Sequence, residues 1–287
     1  MERISLRDAL TQRVTLVRTE AERLQDYLGT LSPAAWYRAS ACAGWEVSDV
    51  VAHLTRGAEA YVEWITRGLH GDTAPPPRSP AADTENTAAR SAHRAQRAIA
   101  IRISLSDQLF PTFQACTAQF TAFLEGLTTQ DWERPCYHPT GLHPARRFVD
   151  LYISELAMPG WDIRSQLEPV AHLSDESLPV FLDLVPNLNL GRWTFRPGPR
   201  LPGFSRYRFV LTDGVSHVYD IVVTGDQAWL AQARTDTAHS TCQSNTETFV
   251  LLMFGRLSLP VAIAEGRMCM EGNRESITAF AQWFRGV

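Results

Sequence analysis

Up to Val170, apolar side chains recur mainly at helical spacing. Leu10, Val14, Val17, Ala21, Leu24 and Leu28 step by four and three, which puts them in one stripe of a helix that packs in a bundle. A second helix follows Trp45, with Val47, Val50, Val51, Leu54, Ala58, Tyr61, Val62 and Ile65 on one broad face. From Gly71 to Asp83 the period stops, and Pro75, Pro76, Pro77 and Pro80 mark an extended connection. Arg90, Arg94, Arg97 and Arg102 then stand among alanines, which predicts a helix with its basic side chains on a solvated face. A third apolar helix runs from about Leu105 to Leu127 through Leu109, Phe113, Cys116, Phe120, Phe123 and Leu124, with Pro111 limiting the regularity of its first turns. A fourth opens near Pro144 and carries Phe148, Leu151, Tyr152 and Leu156 on one side. Four apolar helices with one long crossover predict a bundle whose ligand site lies between facing helices.

The chain also echoes itself. Leu28 to Arg38, with Leu31 and Trp36, resembles Leu124 to Arg134, with Leu127 and Trp132, and each stretch follows a helix. The two helical pairs read as related halves.

Beyond that point the texture changes. Tyr207 to Thr212, the turn Asp213-Gly214 and His217 to Val223 predict a hairpin, because Asp-Gly readily supplies positive φ angles. A turn at Thr224-Gly225-Asp226 leads to a short strand around Trp229. Ser244-Asn245-Thr246-Glu247 reads as a capping box opening a helix through Phe249, Leu252, Met253 and Leu257. A strand at Met268 to Met270 and a helix from Ile277 to Phe284 close the chain. The expected fold class is α+β, with a helical bundle over residues 1–168 and a mainly antiparallel α+β domain over 169–287.

Composition narrows the chemistry. The 287 residues are 45% hydrophobic and 20% charged, the balance of a globular chain. A net charge of -4 and a pI near 6.1 give no bulk electrostatic reason to expect nucleic acid or an anionic membrane as partner. All 27 basic residues are arginine, which removes lysine Schiff-base and pyridoxal-phosphate chemistry and the phosphate-binding P-loop. No Gly-x-Gly-x-x-Gly run supports a nucleotide cofactor. Cys42, Cys116, Cys136, Cys242 and Cys269 are odd in number and lack a C-x-x-C pair, so they read as reduced thiols. With no signal peptide and no apolar run approaching the roughly 18 residues of a membrane span, a cytoplasmic location is expected.

The informative residue is Glu155. At about 100° per residue it falls between Leu151 and Tyr152 on the apolar stripe of the fourth helix, facing the bundle core. A buried carboxylate needs a partner: an arginine from helix 1 or 3 in a structural salt bridge, or His53 in a functional pair. His53 lies on a second face of helix 2 with Gly57, Ala60 and Trp64, where small residues leave room for a cavity. Burial is expected to raise the glutamate's pKa toward neutrality, as acid/base work requires. His138 and His143 are read as surface residues of the loop before helix 4. His217 and Asp220 lack a nearby nucleophile pattern, and Cys242 and Cys269 read as small core residues.

Ala43-Gly44-Trp45-Glu46-Val47-Ser48-Asp49-Val50-Val51-Ala52-His53-Leu54 resembles the G-W-x-V-x-D-x-x-x-H-L start of helix 2 in the mycothiol-dependent maleylpyruvate isomerase family, a branch of the DinB-like four-helix proteins. Arg147 to Asp162, with Glu155 and Gly160-Trp161-Asp162, resembles that family's R-x-x-E-x-x-x-H-G-W-D helix 4. The resemblance implies a DinB-like bundle followed by a sterol-carrier-like α+β domain. It also implies a divalent metal, usually zinc, held by the helix 2 histidine and the helix 4 glutamate and histidine. The first two fall on His53 and Glu155; the third falls on Pro159, which has no donor atom to offer.

The leading expectation is therefore a metal-independent enzyme acting on a small organic molecule, with Glu155 and His53 as an acid/base pair for an isomerisation or cyclisation. No cofactor is expected. Two alternatives stand beside it: a zinc- and mycothiol-dependent isomerase or thiol transferase with His138, His143 or Cys136 as replacement ligand, and a non-catalytic binding protein. The pocket is expected between the bundle and the C-terminal domain, walled by Trp45, with Arg256, on the capped helix after Phe249, as candidate grip for an anionic substrate group.

Overall fold

A computed structural model describes residues 6–77, 87–187, 204–213, 217–225, 227–233 and 238–284, in two compact units, Met1–Val180 and Phe181–Val287. The first unit contains the helices α1 (Leu6–Thr30), α2 (Val47–Leu69), α3 (Thr87–Leu105), α4 (Leu109–Glu125) and α5 (Ala145–Arg164). Helix α1 packs on α4 and α5, and α2 packs on the same two, so these four make the bundle. The predicted stripes are its core: Val17, Leu28, Val51, Leu54, Ile65, Phe113, Phe120, Phe148, Tyr152 and Leu156 are all buried. The expected third apolar helix begins later than its pattern indicated. Ser106, at φ 48, breaks the chain between α3 and α4, and a 3-10 turn over Ser106–Gln108 separates them.

Helix α3 packs mainly on α2, and its basic side chains are not simply solvated. Arg102 Nε donates to Asp49 Oδ1 at 2.7 Å, and its Nη1 lies 3.4 Å from Glu46. Asp49 is buried because it already serves the start of α2. Its carboxylate accepts from the Glu46 backbone N–H at 3.0 Å while the Glu46 side chain accepts from the Asp49 backbone, a reciprocal capping box that α3 completes with a cation.

The internal echo has a structural counterpart. Leu31 N–H donates to Leu28 O and Leu127 N–H to Leu124 O; Arg38 N–H donates to Ala35 O and Arg134 N–H to Asp131 O, each pair displaced by 124 − 28 = 96 residues. Both stretches form 3-10 turns, Pro33–Tyr37 and Asp131–Glu133. Each then makes an antiparallel pairing: the single bridge Ala39–Glu46 in the first copy, and the hairpin β1 (Pro135–His138) and β2 (Gly141–Pro144) in the second. Each pairing closes with a helix-opening bond to the arginine carbonyl, from Val47 N–H to Arg38 O and from Ala145 N–H to Arg134 O, both 3.0 Å.

The short α6 (Leu178–Leu184) carries the division between the units. The second unit has a five-stranded sheet of order β5-β4-β3-β6-β7, from β3 (Phe204–Leu211), β4 (Val218–Thr224), β5 (Gln227–Gln232), β6 (Ser240–Ser244) and β7 (Met268–Gly272). All pairings are antiparallel except β3 with β6. The predicted hairpin strands are β3 and β4; Gly214 and Asp226 of the two predicted turns lie outside the described residues, as do Pro80 to Asp83 of the extended connection. Helices α7 (Thr246–Met253), α8 (Leu259–Ala264) and α9 (Arg274–Trp283) complete the unit, and Phe249 of α7 and Phe280 of α9 pack on Phe209 of β3. The α7 cap is Asn245, one residue later than expected, because Ser244 still belongs to β6; the Asn245 side chain accepts from Thr248 N–H at 2.9 Å. Cys242 is core as expected, but Cys269 is exposed on the edge strand β7. No helix among the described residues is long and apolar enough to cross a membrane.

Candidate active site

Helices α2 and α5 bring His53 and Glu155 together. His53 Nε2 lies 3.2 Å from Glu155 Oε2, so the glutamate's partner is the histidine and not an arginine. The Glu155 side chain keeps 43% of its area accessible and His53 keeps 30%, although both sit on inward faces; they line a cleft and not a sealed core. Gly57, one turn beyond His53 on the same face, has no atom within 4 Å of where a Cβ would stand, so the space beside the pair is open there. Trp45 packs edge-to-face on the His53 ring with centroids 5.4 Å apart, which fixes the imidazole plane. The loop leading to Trp45 is tied in turn to the end of α5, where Ala41 N–H donates to Asp162 O at 2.8 Å and the Cys42 thiol to Asp162 Oδ2 at 3.2 Å.

The electrostatics of Glu155 reverse the expectation from burial. Burial alone raises its pKa, but the hydrogen bond and charge of His53, with the charges of Arg94 and His138, outweigh it and hold the carboxyl at about 2. The carboxylate is therefore ionised at neutral pH and accepts the proton of His53 Nε2. That fixes the neutral tautomer: the lone pair sits on Nδ1, which makes no hydrogen bond among the described residues.

His138 was expected at the surface, yet the hairpin carries it into the aromatic wall. Its ring lies 6.0 Å from Tyr61, 5.6 Å from Trp64 and 5.8 Å from Phe148. Gly68 permits this approach, since a Cβ there would stand 2.7 Å from Pro135 O and closer still to Cys136 Sγ. No periodic pattern marks these four-residue strands. His138 Nδ1 lies 2.7 Å from the Thr140 hydroxyl and 3.2 Å from Thr140 N, which fixes the ring with Nε2 turned away from Thr140. His143 shares the Thr140 hydroxyl at 2.8 Å, and burial followed by the Arg147 charge lowers its pKa.

The other sequence candidates fall elsewhere. Arg256 is in the second unit, and not on the capped helix: Gly255, at φ 70, ends α7 with Arg256 N–H donating to Leu251 O and Gly255 N–H to Leu252 O. Its guanidinium donates to Phe254 O at 2.7 Å. Asp220 is fully buried and held by Arg206 and Arg208 at 2.8 and 2.9 Å, and His217 stacks on Tyr219. A cavity of about 440 Å³ beside α1, lined by Leu10, Val14, Leu124 and Trp132, has Glu125 as its one titratable side chain, and that is paired with Arg18.

The family profile of the mycothiol maleylpyruvate isomerase N-terminal domain matches residues 17–164, the segment that builds this site. The chain belongs to that family. It is a family of isomerases on a DinB-like four-helix bundle, here followed by a small α+β domain. A crystal structure of the mycothiol-dependent maleylpyruvate isomerase is similar over 87% of this chain and 90% of its own, at 16% identity and a TM-score of 0.63. A histidine-to-alanine mutant of that isomerase matches over the same shares at 17% identity and a TM-score of 0.62. At these identities the likeness shows the fold alone. No curated protein matches the sequence.

The family implies a metal, and the donor set of this maleylpyruvate isomerase homologue does not fit one. His53 and Glu155 are bonded to each other, and the next position on the same line of α5 is the buried Pro159, without a donor atom. Cys136 is buried against α2, its thiol donating toward the carbonyls of Ile65 and Arg134, and burial pushes the thiol up to about 11. Among the described residues no three His, Cys, Asp or Glu side chains are grouped to hold a metal ion.

Proposed function

We propose that the protein is a small-molecule isomerase in which His53 moves a proton within the substrate and Glu155 orients and charges it, without metal or mycothiol. The observation that carries this reading is the bond from His53 Nε2–H to an ionised Glu155. It leaves Nδ1 as the base in a cleft that Trp45 and Gly57 shape. Nδ1 takes a proton from a carbon that lies between a carbonyl and a carbon–carbon double bond, the electron pair passes into a dienolate, and the imidazolium returns the proton at the far carbon of that dienolate as the double bond shifts. Atoms balance, His53 is restored, and no oxidant, water or leaving group is needed, which is the bookkeeping of an isomerisation. Glu155 stabilises the imidazolium and stays ionised throughout, as the aspartate of a catalytic triad does.

The partner on this reading is a small oxo acid of maleylpyruvate's kind. The test is maleylpyruvate consumption by protein treated with EDTA and dialysed, with and without added zinc and mycothiol. The reading expects turnover with neither added. Turnover that appears only with zinc or mycothiol overturns the proposed mechanism, and no turnover under any condition removes maleylpyruvate as substrate.

A further inference from the structure

We infer that the hydroxyls of Tyr61 and Tyr152 form a pair of neutral hydrogen-bond donors that hold the substrate oxygen on which charge develops when His53 takes its proton. This rests on the proton-transfer reading above and adds the groups that reading lacks.

On α2, His53, Gly57 and Tyr61 follow one another at intervals of four, so they lie along one line of the helix face. The open space at Gly57 is flanked by the base at one end and Tyr61 at the other. On α5, Tyr152 stands three residues before Glu155, one turn along the same face. The two tyrosine rings are 5.7 Å apart. Tyr152 is fully buried, and its hydroxyl has no hydrogen-bond partner. Tyr61 is 5% exposed, and among the described residues its hydroxyl, unlike that of Tyr152, is not a buried atom left without a partner.

A buried hydroxyl without a partner is costly, and most such groups in folded proteins are bonded. Phe113, Phe120 and Phe148 show that the surrounding core accepts a plain phenyl ring. The Tyr152 oxygen therefore adds cost without supporting the fold, a mark of a group kept for a ligand. Burial, together with the Glu155 charge, raises both phenols above their ordinary range, so they remain protonated donors. The imidazolium and Arg94, whose charge acts on both Tyr61 and Glu155, supply positive charge opposite the enolate.

The test is calorimetric titration of the full-length, EDTA-treated protein with oxalate, a planar dianion shaped like an enolised 2-oxo acid. Tyr61→Phe and Tyr152→Phe are each expected to weaken oxalate binding about ten-fold, as loss of one hydrogen bond to a charged group predicts. Tyr152→Phe is also expected to melt no lower than wild type, because no partner is left unbonded. Unchanged oxalate affinity in both variants, no oxalate binding by the wild type, or a lowered melting temperature for Tyr152→Phe overturns the inference. His53→Ala separates this from the parent reading: retained maleylpyruvate turnover there removes the proton-transfer step, while oxalate affinity still decides the tyrosines.

Discussion

His53 Nε2 lies 3.2 Å from Glu155 Oε2 across two helices, although 102 residues separate them in the chain. The ionised carboxylate holds the proton of His53 on Nε2 and frees Nδ1. Glu155→Gln should keep the fold, since the amide has the same shape, yet lower turnover by about 100-fold to 10,000-fold, as expected when an imidazole loses the charge that supports it. His53→Ala should fall in the same range, and Glu155→Asp, which keeps the charge, should lose less than Glu155→Gln. The check is kcat on variants whose circular dichroism matches wild type. Undiminished turnover in a folded Glu155→Gln protein would make the carboxylate structural.

The same pair sets a pH dependence of stability. Glu155 titrates at about 2 in the folded protein against an ordinary 4.5. As pH falls the unfolded chain takes up the proton first, so the stabilisation is complete above the ordinary value and is lost as pH falls from there toward the folded value. The stability difference between wild type and Glu155→Gln should be flat near neutrality and shrink below about pH 5. Solvent reaches 43% of the side chain, so screening keeps the difference small. Urea midpoints of both proteins across this range provide the check; a difference that grows on acidification would contradict the assignment.

Much of this site was legible in the sequence, and the reasons for the rest are physical. Helical spacing placed Glu155 inward and His53 on a face with small residues, because both follow from 100° per residue on long helices. The direction of the Glu155 shift was not legible, since it depends on how closely the His53 imidazole bonds the carboxylate, with smaller help from Arg94 of α3 and His138 of β1, and only tertiary packing sets these approaches. The hairpin was missed because strands of four residues flanked by Pro135, Pro139 and Pro144 show no alternation. Arg102 read as solvated because its partner, Asp49, is 53 residues away. The cap at Asn245 was misplaced by one residue because Ser244 and Asn245 are equally good cap formers, and only the extent of β6 decides between them.

Gly57 should report the cleft directly. With no atom within 4 Å of its Cβ position, Gly57→Ala should raise stability by roughly 0.5–1 kcal/mol through helix propensity alone. Gly57→Phe should fill the cleft and abolish turnover in a folded protein. Chemical denaturation and turnover of the two variants test this, and a fully active Gly57→Phe would place the substrate elsewhere.

Gly68 should behave in the opposite way. A methyl group there meets Pro135 O and Cys136 Sγ, so Gly68→Ala must displace the hairpin from α2 at a cost of about 1–3 kcal/mol. Because the hairpin carries His138, turnover should fall with stability. A Gly68→Ala protein as stable as wild type in denaturant would show that the hairpin does not need this close approach.

The central claim, that this site is a proton-transfer pair and not a metal centre, is tested most directly by zinc content. Wild type and Pro159→His, dialysed side by side against zinc-containing and then zinc-free buffer, should differ in elemental analysis. The wild type should retain essentially no zinc, while the variant, with a donor one turn beyond Glu155, should hold close to one ion per chain. Stoichiometric zinc in the dialysed wild type would contradict the account.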